Sequence, residues 1–188
     1  MKKFFLFTFI GALAAGFISS CSSGDDSNDV WDEYKDYREA NDAFMVEQEA
    51  LTDDNGNKVY TKVVPAWNEN AYVLMRWFND TTLTRENLTP IYTSTVDVKF
   101  YGRNYENEPF DSSYLSLQPA DSVIRCQINS VIPGWAIAME KMHVGDTVEV
   151  IIPYAQAYGS TSRKGILPFS ALKFNIKLVN VAGQNIRP

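Results

Sequence analysis

The sequence predicts an α+β fold: a mostly antiparallel sheet with one short helix, preceded by an added N-terminal helix. Three patterns point there. From Val30 to Leu51 there is neither Gly nor Pro, and large residues recur near helical spacing; after Asn55 and Gly56 the chain breaks into short alternating runs; only Trp135 to Met142 is later free of breakers and helical in character. Runs of strands without regularly interleaved helices favour antiparallel pairing over a parallel α/β sheet.

The chain starts with Met1, Lys2 and Lys3, followed by an apolar run from Phe4 to Ile18 and then Ser19, Ser20 and Cys21. The run is shorter than the roughly 20 residues that span a bilayer, and its flanks are those of a secretory signal. Small residues directly before a Cys resemble the bacterial lipoprotein signal, which implies a signal peptide over 1–20 and lipidation of Cys21, hence a membrane anchor. Residues 21–29 read as an acidic linker. Acidic residues shortly after that Cys resemble the surface-export signal of Bacteroidetes lipoproteins. The expected location is the cell envelope, as an outer-membrane lipoprotein with surface exposure as an extension of that reading.

The N-terminal helix is expected within 30–54. Trp31, Tyr34, Tyr37, Phe44, Gln48 and Leu51 form its stripe, Asn41 interrupts it, Asp29 serves as N-cap, and Asp53, Asp54, Asn55 and Gly56 stop it. A helix packed on its own domain is favoured over a homodimer or spacer helix, because one broken stripe is weak support for a coiled coil. The remaining domain is 55–188, with strands expected at Val59 to Val64, Ala71 to Phe78, Thr93 to Tyr101, Val123 to Ile128, Thr147 to Ile152 and Leu172 to Val181.

Charge narrows the function classes. The 188 residues carry 17 Lys+Arg against 23 Asp+Glu and a net charge of -6, so the overall field repels phosphate backbones and a nucleic-acid partner is disfavoured. Twelve of the acids fall in residues 25–54 against only Lys35 and Arg38, leaving 13 basic and 11 acidic residues in 55–188, so the body of the protein is nearly neutral. One His and two Cys cannot assemble a structural zinc site. His143 reads as a solvated loop residue and Cys126 as a small buried hydrophobe on a strand.

The second half resembles the FKBP type of peptidyl-prolyl isomerase, over a core of 93–181. Val96, Val98, Phe100 and Gly102 are similar to its strand ending in Tyr-x-Gly, and Phe110 to Ser113 to its Phe-Asp-Ser-Ser. Val131, Ile132, Pro133, Gly134 and Trp135 resemble the Val-Ile-x-Gly-Trp that opens its helix; Met142, Val144 and Gly145 resemble the Met-x-Val-Gly that closes it. Pro153, Ala157, Tyr158 and Gly159 then resemble its Pro-x-x-x-Ala-Tyr-Gly segment, and Leu167, Pro168, Ala171, Leu172 and Phe174 its last loop and strand. The resemblance implies a sheet curved around the short helix and prolyl isomerisation of exported polypeptides. It implies no cofactor and no metal.

That chemistry needs no nucleophile. Amide rotation meets a barrier of about 18 to 20 kcal/mol because the twisted state loses resonance, and a catalyst must grip the proline ring and favour the twisted amide. By resemblance, Trp135 floors the pocket, Phe100, Phe110, Val131, Ile132, Leu167 and Phe174 wall it, Asp111 acts electrostatically, and the Tyr158 hydroxyl and Ile132 amide orient the peptide. Phe100 stands where the family has a Tyr, Arg163 where many members have a small residue or His, and Phe169 where a second Pro is usual. The family's second aromatic wall has only Ala120 and Val123 as stand-ins between Asp111 and Val131. The alternative is a weakly active or inactive binding module built on the same groove.

Overall fold

The structure, a computed structural model, describes residues 26–115 and 122–183. The signal segment, Cys21, the linker up to residue 25 and Ala120 lie outside the described residues. No helix among those described is long and apolar enough to cross a membrane.

The expected single N-terminal helix is two, α1 (Asp26–Glu33) and α2 (Lys35–Ala50), joined at Tyr34. Asp29 lies inside α1, and Tyr34 occupies the N-cap position of α2 without a side-chain cap bond. No Gly or Pro marks this break. Its cause is Arg38, whose Nη1 donates to the Trp31 carbonyl at 2.6 Å, the acceptor that a continuous helix would offer to the Lys35 amide. The guanidinium also stands 3.4 Å from the Trp31 ring centroid, so a cation–π contact holds the same geometry. At the other end, Lys58 Nζ donates to the Glu49 and Ala50 carbonyls and Asp53 Oδ1 accepts the Asn55 and Asn57 amides, which closes α2 near the expected stop.

Among the described residues, seven strands form one antiparallel sheet: β1 (Thr61–Val63), β2 (Val73–Trp77), β3 (Thr95–Asn104), β4 (Pro109–Ser112), β5 (Ile124–Gln127), β6 (Thr147–Ile152) and β7 (Leu172–Ala182). Their order is β1-β2-β6-β7-β3-β4, and β5 pairs with the first half of β3 while β4 pairs with its second half. β4 is the strand that sequence pattern missed. A Pro is tolerated at the start of an edge strand, and β4, which begins at Pro109, is such an edge.

Alternation divides the sheet into two faces. Val148, Val150 and Ile152 of β6 and Phe174, Ile176 and Leu178 of β7 point into the main core, where they meet α3 (Pro133–Met139). Pro133 takes the first helical position, where its missing N–H costs nothing, and Gly134 lets α3 approach the sheet. A Cβ on Gly134 would lie 2.2 Å from Ile152 Cγ2, so no larger residue fits without moving the helix. On the opposite face Met45 of α2 packs with Tyr60, Leu74, Ile151 and Ala171. The helix is therefore docked on its own domain.

Polar residues complete both junctions. Asn41, the interruption in the expected stripe, is fully buried; its Oδ1 accepts the Ala171 amide at 2.8 Å and its Nδ2 donates to the Tyr37 carbonyl at 2.8 Å. Buried Asp146 accepts from the Thr84 hydroxyl (2.5 Å), the His143 amide (2.9 Å), Asn79 Nδ2 (3.0 Å) and the Trp77 indole (3.2 Å). His143 is partly buried with its ring 3.8 Å from that carboxylate. Burial alone would raise the Asp146 carboxyl, but the four donors hold it below the usual carboxylate range. A depressed folded-state value stabilises above the unfolded value of about 3.9 and loses that contribution as pH falls through the folded one. Thermal melts across pH 2 to 6 should therefore show an acid-labile component that Asp146→Asn removes, together with about 2 kcal/mol of stability at neutral pH. An unchanged acid slope in that variant would count against the assignment.

Candidate functional site

At the N-terminus of α3 the structure encloses a cavity of about 300 Å³ lined by Phe100, Phe110, Asp111, Ile124, Cys126, Ser130, Val131, Ile132, Trp135, Tyr158 and Phe174. Every residue expected on the described wall is present except Leu167, which is 48% exposed and is not part of the lining. The tight turn Arg163 to Ile166 explains the difference: it carries Ile166 inward, 6% exposed, and leaves the next side chain outside.

The walls are an edge-to-face cluster. Trp135 meets Phe100 at 5.1 Å and Phe174 at 5.2 Å between ring centroids, and Phe110 meets Phe174 at 5.5 Å. Pairs of this kind add about 0.5 to 1.5 kcal/mol beyond burial. Strand register assembles them, since β3 pairs Gly102 with Phe174 on β7 and with Asp111 on β4. Gly102 supplies the room: a Cβ there would lie 2.8 Å from both Phe110 Cζ and Phe174 Cε1. The serines after Asp111 fix the wall from behind, with Ser113 Oγ accepting the Phe100 amide at 3.0 Å and Ser112 Oγ donating to the Phe100 carbonyl at 3.3 Å.

Ile124 and Cys126 were not expected to line the cavity. They stand on one face of β5, two residues apart, and both line the cavity; that i, i+2 spacing was the signal available in the sequence. Burial, with Asp97 adding to it, pushes the Cys126 thiol up, so it serves as wall rather than nucleophile.

Three donors on residues that line the cavity lack partners among the described residues. The Trp135 indole Nε1 is buried and unbonded, and neither the Ile132 amide nor the Tyr158 hydroxyl reaches an acceptor among the described residues. Asp111 is exposed at the rim, where its Oδ1 accepts the Ser112 amide at 2.8 Å. Phe100 offers it no hydroxyl.

Tyr158 is carried on a loop braced from both sides. Gly159 turns it at φ +59, and the Phe169 amide donates to the Gly159 carbonyl at 2.8 Å. Phe169 itself has φ +61, in the left-handed region, which proline cannot adopt. The rigidity expected from a proline is supplied instead by rings: Trp31 and Tyr154 each meet Phe169 edge-on at 5.4 Å. Tyr37 adds a 2.9 Å hydrogen bond to Ser170.

An antiparallel sheet folded over one short helix, with an aromatic cavity at that helix's N-terminus and unpartnered donors in its lining, defines the class as the FKBP fold. A family model described as FKBP-type peptidyl-prolyl cis-trans isomerase matches residues 88–179, and this segment is an FKBP-type domain. It is 36% identical over 97 residues to the FKBP-type 22 kDa peptidyl-prolyl cis-trans isomerase of Escherichia coli strain K12, covering 51% of this chain and 45% of that protein. It is 38% identical over 93 residues to the Outer membrane protein MIP of Legionella longbeachae, covering 49% and 38%. The match thus spans less than half of either relative. Among solved structures, a peptidyl-prolyl cis-trans isomerase from Pseudomonas syringae pv. tomato superposes with TM-score 0.62 at 25% identity, covering 79% of this chain and 95% of that one. FkpA from Escherichia coli, at 24% identity and TM-score 0.53, shares the fold over 83% of this chain and 61% of its own.

Proposed function

We propose that the protein is a peptidyl-prolyl cis-trans isomerase that assists the folding of exported polypeptides. The observation that carries this reading is the aromatic cavity whose lining includes two unpartnered donors, the Ile132 amide and the Tyr158 hydroxyl, beside walls apolar enough to take a pyrrolidine ring. In this mechanism Trp135, Phe100, Phe110, Val131 and Phe174 hold the ring, and the two donors fix the flanking carbonyls. Asp111 supplies negative charge near the carbonyl carbon as it loses resonance, and the desolvated walls favour the less polar twisted amide. A protease-coupled cis-to-trans assay on the purified protein is expected to show catalysed interconversion of X-Pro peptides. No acceleration at micromolar protein would overturn the reading.

The second reading, a binding module without catalysis, draws on Phe100, which leaves Asp111 with the Ser112 amide as its partner. It predicts affinity for unfolded polypeptides with no rate effect.

The location proposed is the cell envelope, through a lipid anchor at Cys21 in the outer membrane. The signal pattern over 1–20 supports it, as does the name of the Legionella relative. Labelling with a palmitate analogue should be lost in Cys21→Ala; persistent labelling would sink the anchor. The use of Tyr37, Asn41 and Met45 against the same domain supports helices that serve their own chain rather than a dimer seam.

A further inference from the structure

Beside the aromatic cavity lies a second one of about 380 Å³, which shares Phe110, Asp111 and Tyr158 with it and is closed on the far side by Arg163, Lys164 and Ile166. A peptide whose proline fills the first cavity must run past the shared walls, so the side chain next to the proline meets the second.

Two cations are held there by a built turn. The Arg163 amide donates to the Ile166 carbonyl and the Ile166 amide to the Arg163 carbonyl, both at 2.9 Å, with Gly165 at φ +77. Such a two-residue turn needs a left-handed position, which Gly occupies without strain. It rests on the cavity wall, since a Cβ on Gly165 would be 3.4 Å from Phe110 Cβ. The Arg163 guanidinium stands 5.3 Å from the Tyr158 ring centroid, which orients it toward the shared wall. Neither Arg163 nor Lys164 pairs with a carboxylate among the described residues, and Asp111 is the one acid among those that line this cavity. Positive charge is therefore in excess at this spot on a body that is otherwise nearly neutral.

We propose that this cavity is a subsite for an acidic side chain on the residue adjoining the substrate proline, with Arg163 and Lys164 as its specificity-determining residues. The proposal rests on the isomerase reading for its substrate class. Charge complementarity at an exposed site changes affinity only roughly two- to fivefold per pair, so it ranks substrates and does not gate them. The preference fades with salt, because exposed charges are screened over about 10 Å at 0.1 M.

The test uses two peptide series, with Glu, Ala or Lys either before or after the proline. Isomerisation is read by protease-free exchange spectroscopy and affinity by chemical-shift titration of the same peptides. Expected is a Glu peptide favoured over its Lys counterpart about threefold in at least one series at low salt, with the order reversed in Arg163→Glu/Lys164→Glu. Equal handling of Glu and Lys in both series, or a preference for Lys, would overturn the subsite while catalysis of the Ala peptides leaves the isomerase reading standing. Tighter binding of the Glu peptides with no acceleration of any peptide would uphold the subsite and remove the isomerase.

Discussion

Replacing Asp111 by alanine is expected to lower kcat/KM for prolyl isomerisation about tenfold while leaving the fold intact, a loss of ~1.4 kcal/mol of transition-state stabilisation. The magnitude follows from exposure. A unit charge pair at 4 Å is worth about 1 kcal/mol in water and about 4 kcal/mol near a protein surface, and a carboxylate at the rim acting on a developing dipole falls toward the lower end. Asp111→Asn keeps the shape and removes the charge, so the same loss in both variants identifies electrostatics as the cause. Because the carboxylate's hydrogen bond is to the adjacent Ser112 amide, melting temperature should hardly move. Unaltered rates in both variants would sink the role.

The second large effect is remote from the cavity. Asn41→Ala removes two hydrogen bonds and leaves the buried Ala171 amide unsatisfied, at a cost of roughly 2 to 3 kcal/mol. For a domain of this size the thermal midpoint should fall by roughly 4 to 12 °C. Stability alone is not the discriminating readout. The segment from Ile166 to Ala171 is bonded through Phe169 to Gly159, next to Tyr158, so a loosened segment should raise KM several-fold at temperatures where the variant is fully folded. A variant that melts early yet binds peptide normally would show Asn41 to be structural only.

Much of this was legible in the residues. β6 follows its expected bounds, and the cavity gathers Phe100, Phe110, Asp111, Val131, Ile132, Trp135, Tyr158 and Phe174 from motifs spread over 75 positions. Local motifs carry such information because each fixes one turn or strand end. What escaped depended on partners far away in sequence. β4 is a strand because β3 lies beside it, and nothing within Pro109 to Ser112 announces that neighbour. The break at Tyr34 comes from a guanidinium four residues on that prefers a carbonyl and a ring to solvent. Asn41 looked like a flaw in an apolar stripe until its acceptor met an amide from the far end of the chain. Leu167 and Ile166 differ by one position, and only the turn geometry decides which side chain points inward.

The contact between Asn41 and Ala171 joins residues 130 apart, and that between Tyr37 and Ser170 joins residues 133 apart. Closing so long a loop carries an entropic cost that rises with length, and contacts of such separation belong to the slow end of folding. During synthesis α2 emerges early and must wait for almost the whole sheet before its docking partner exists. The brace on the Tyr158 loop therefore belongs among the last pieces to form.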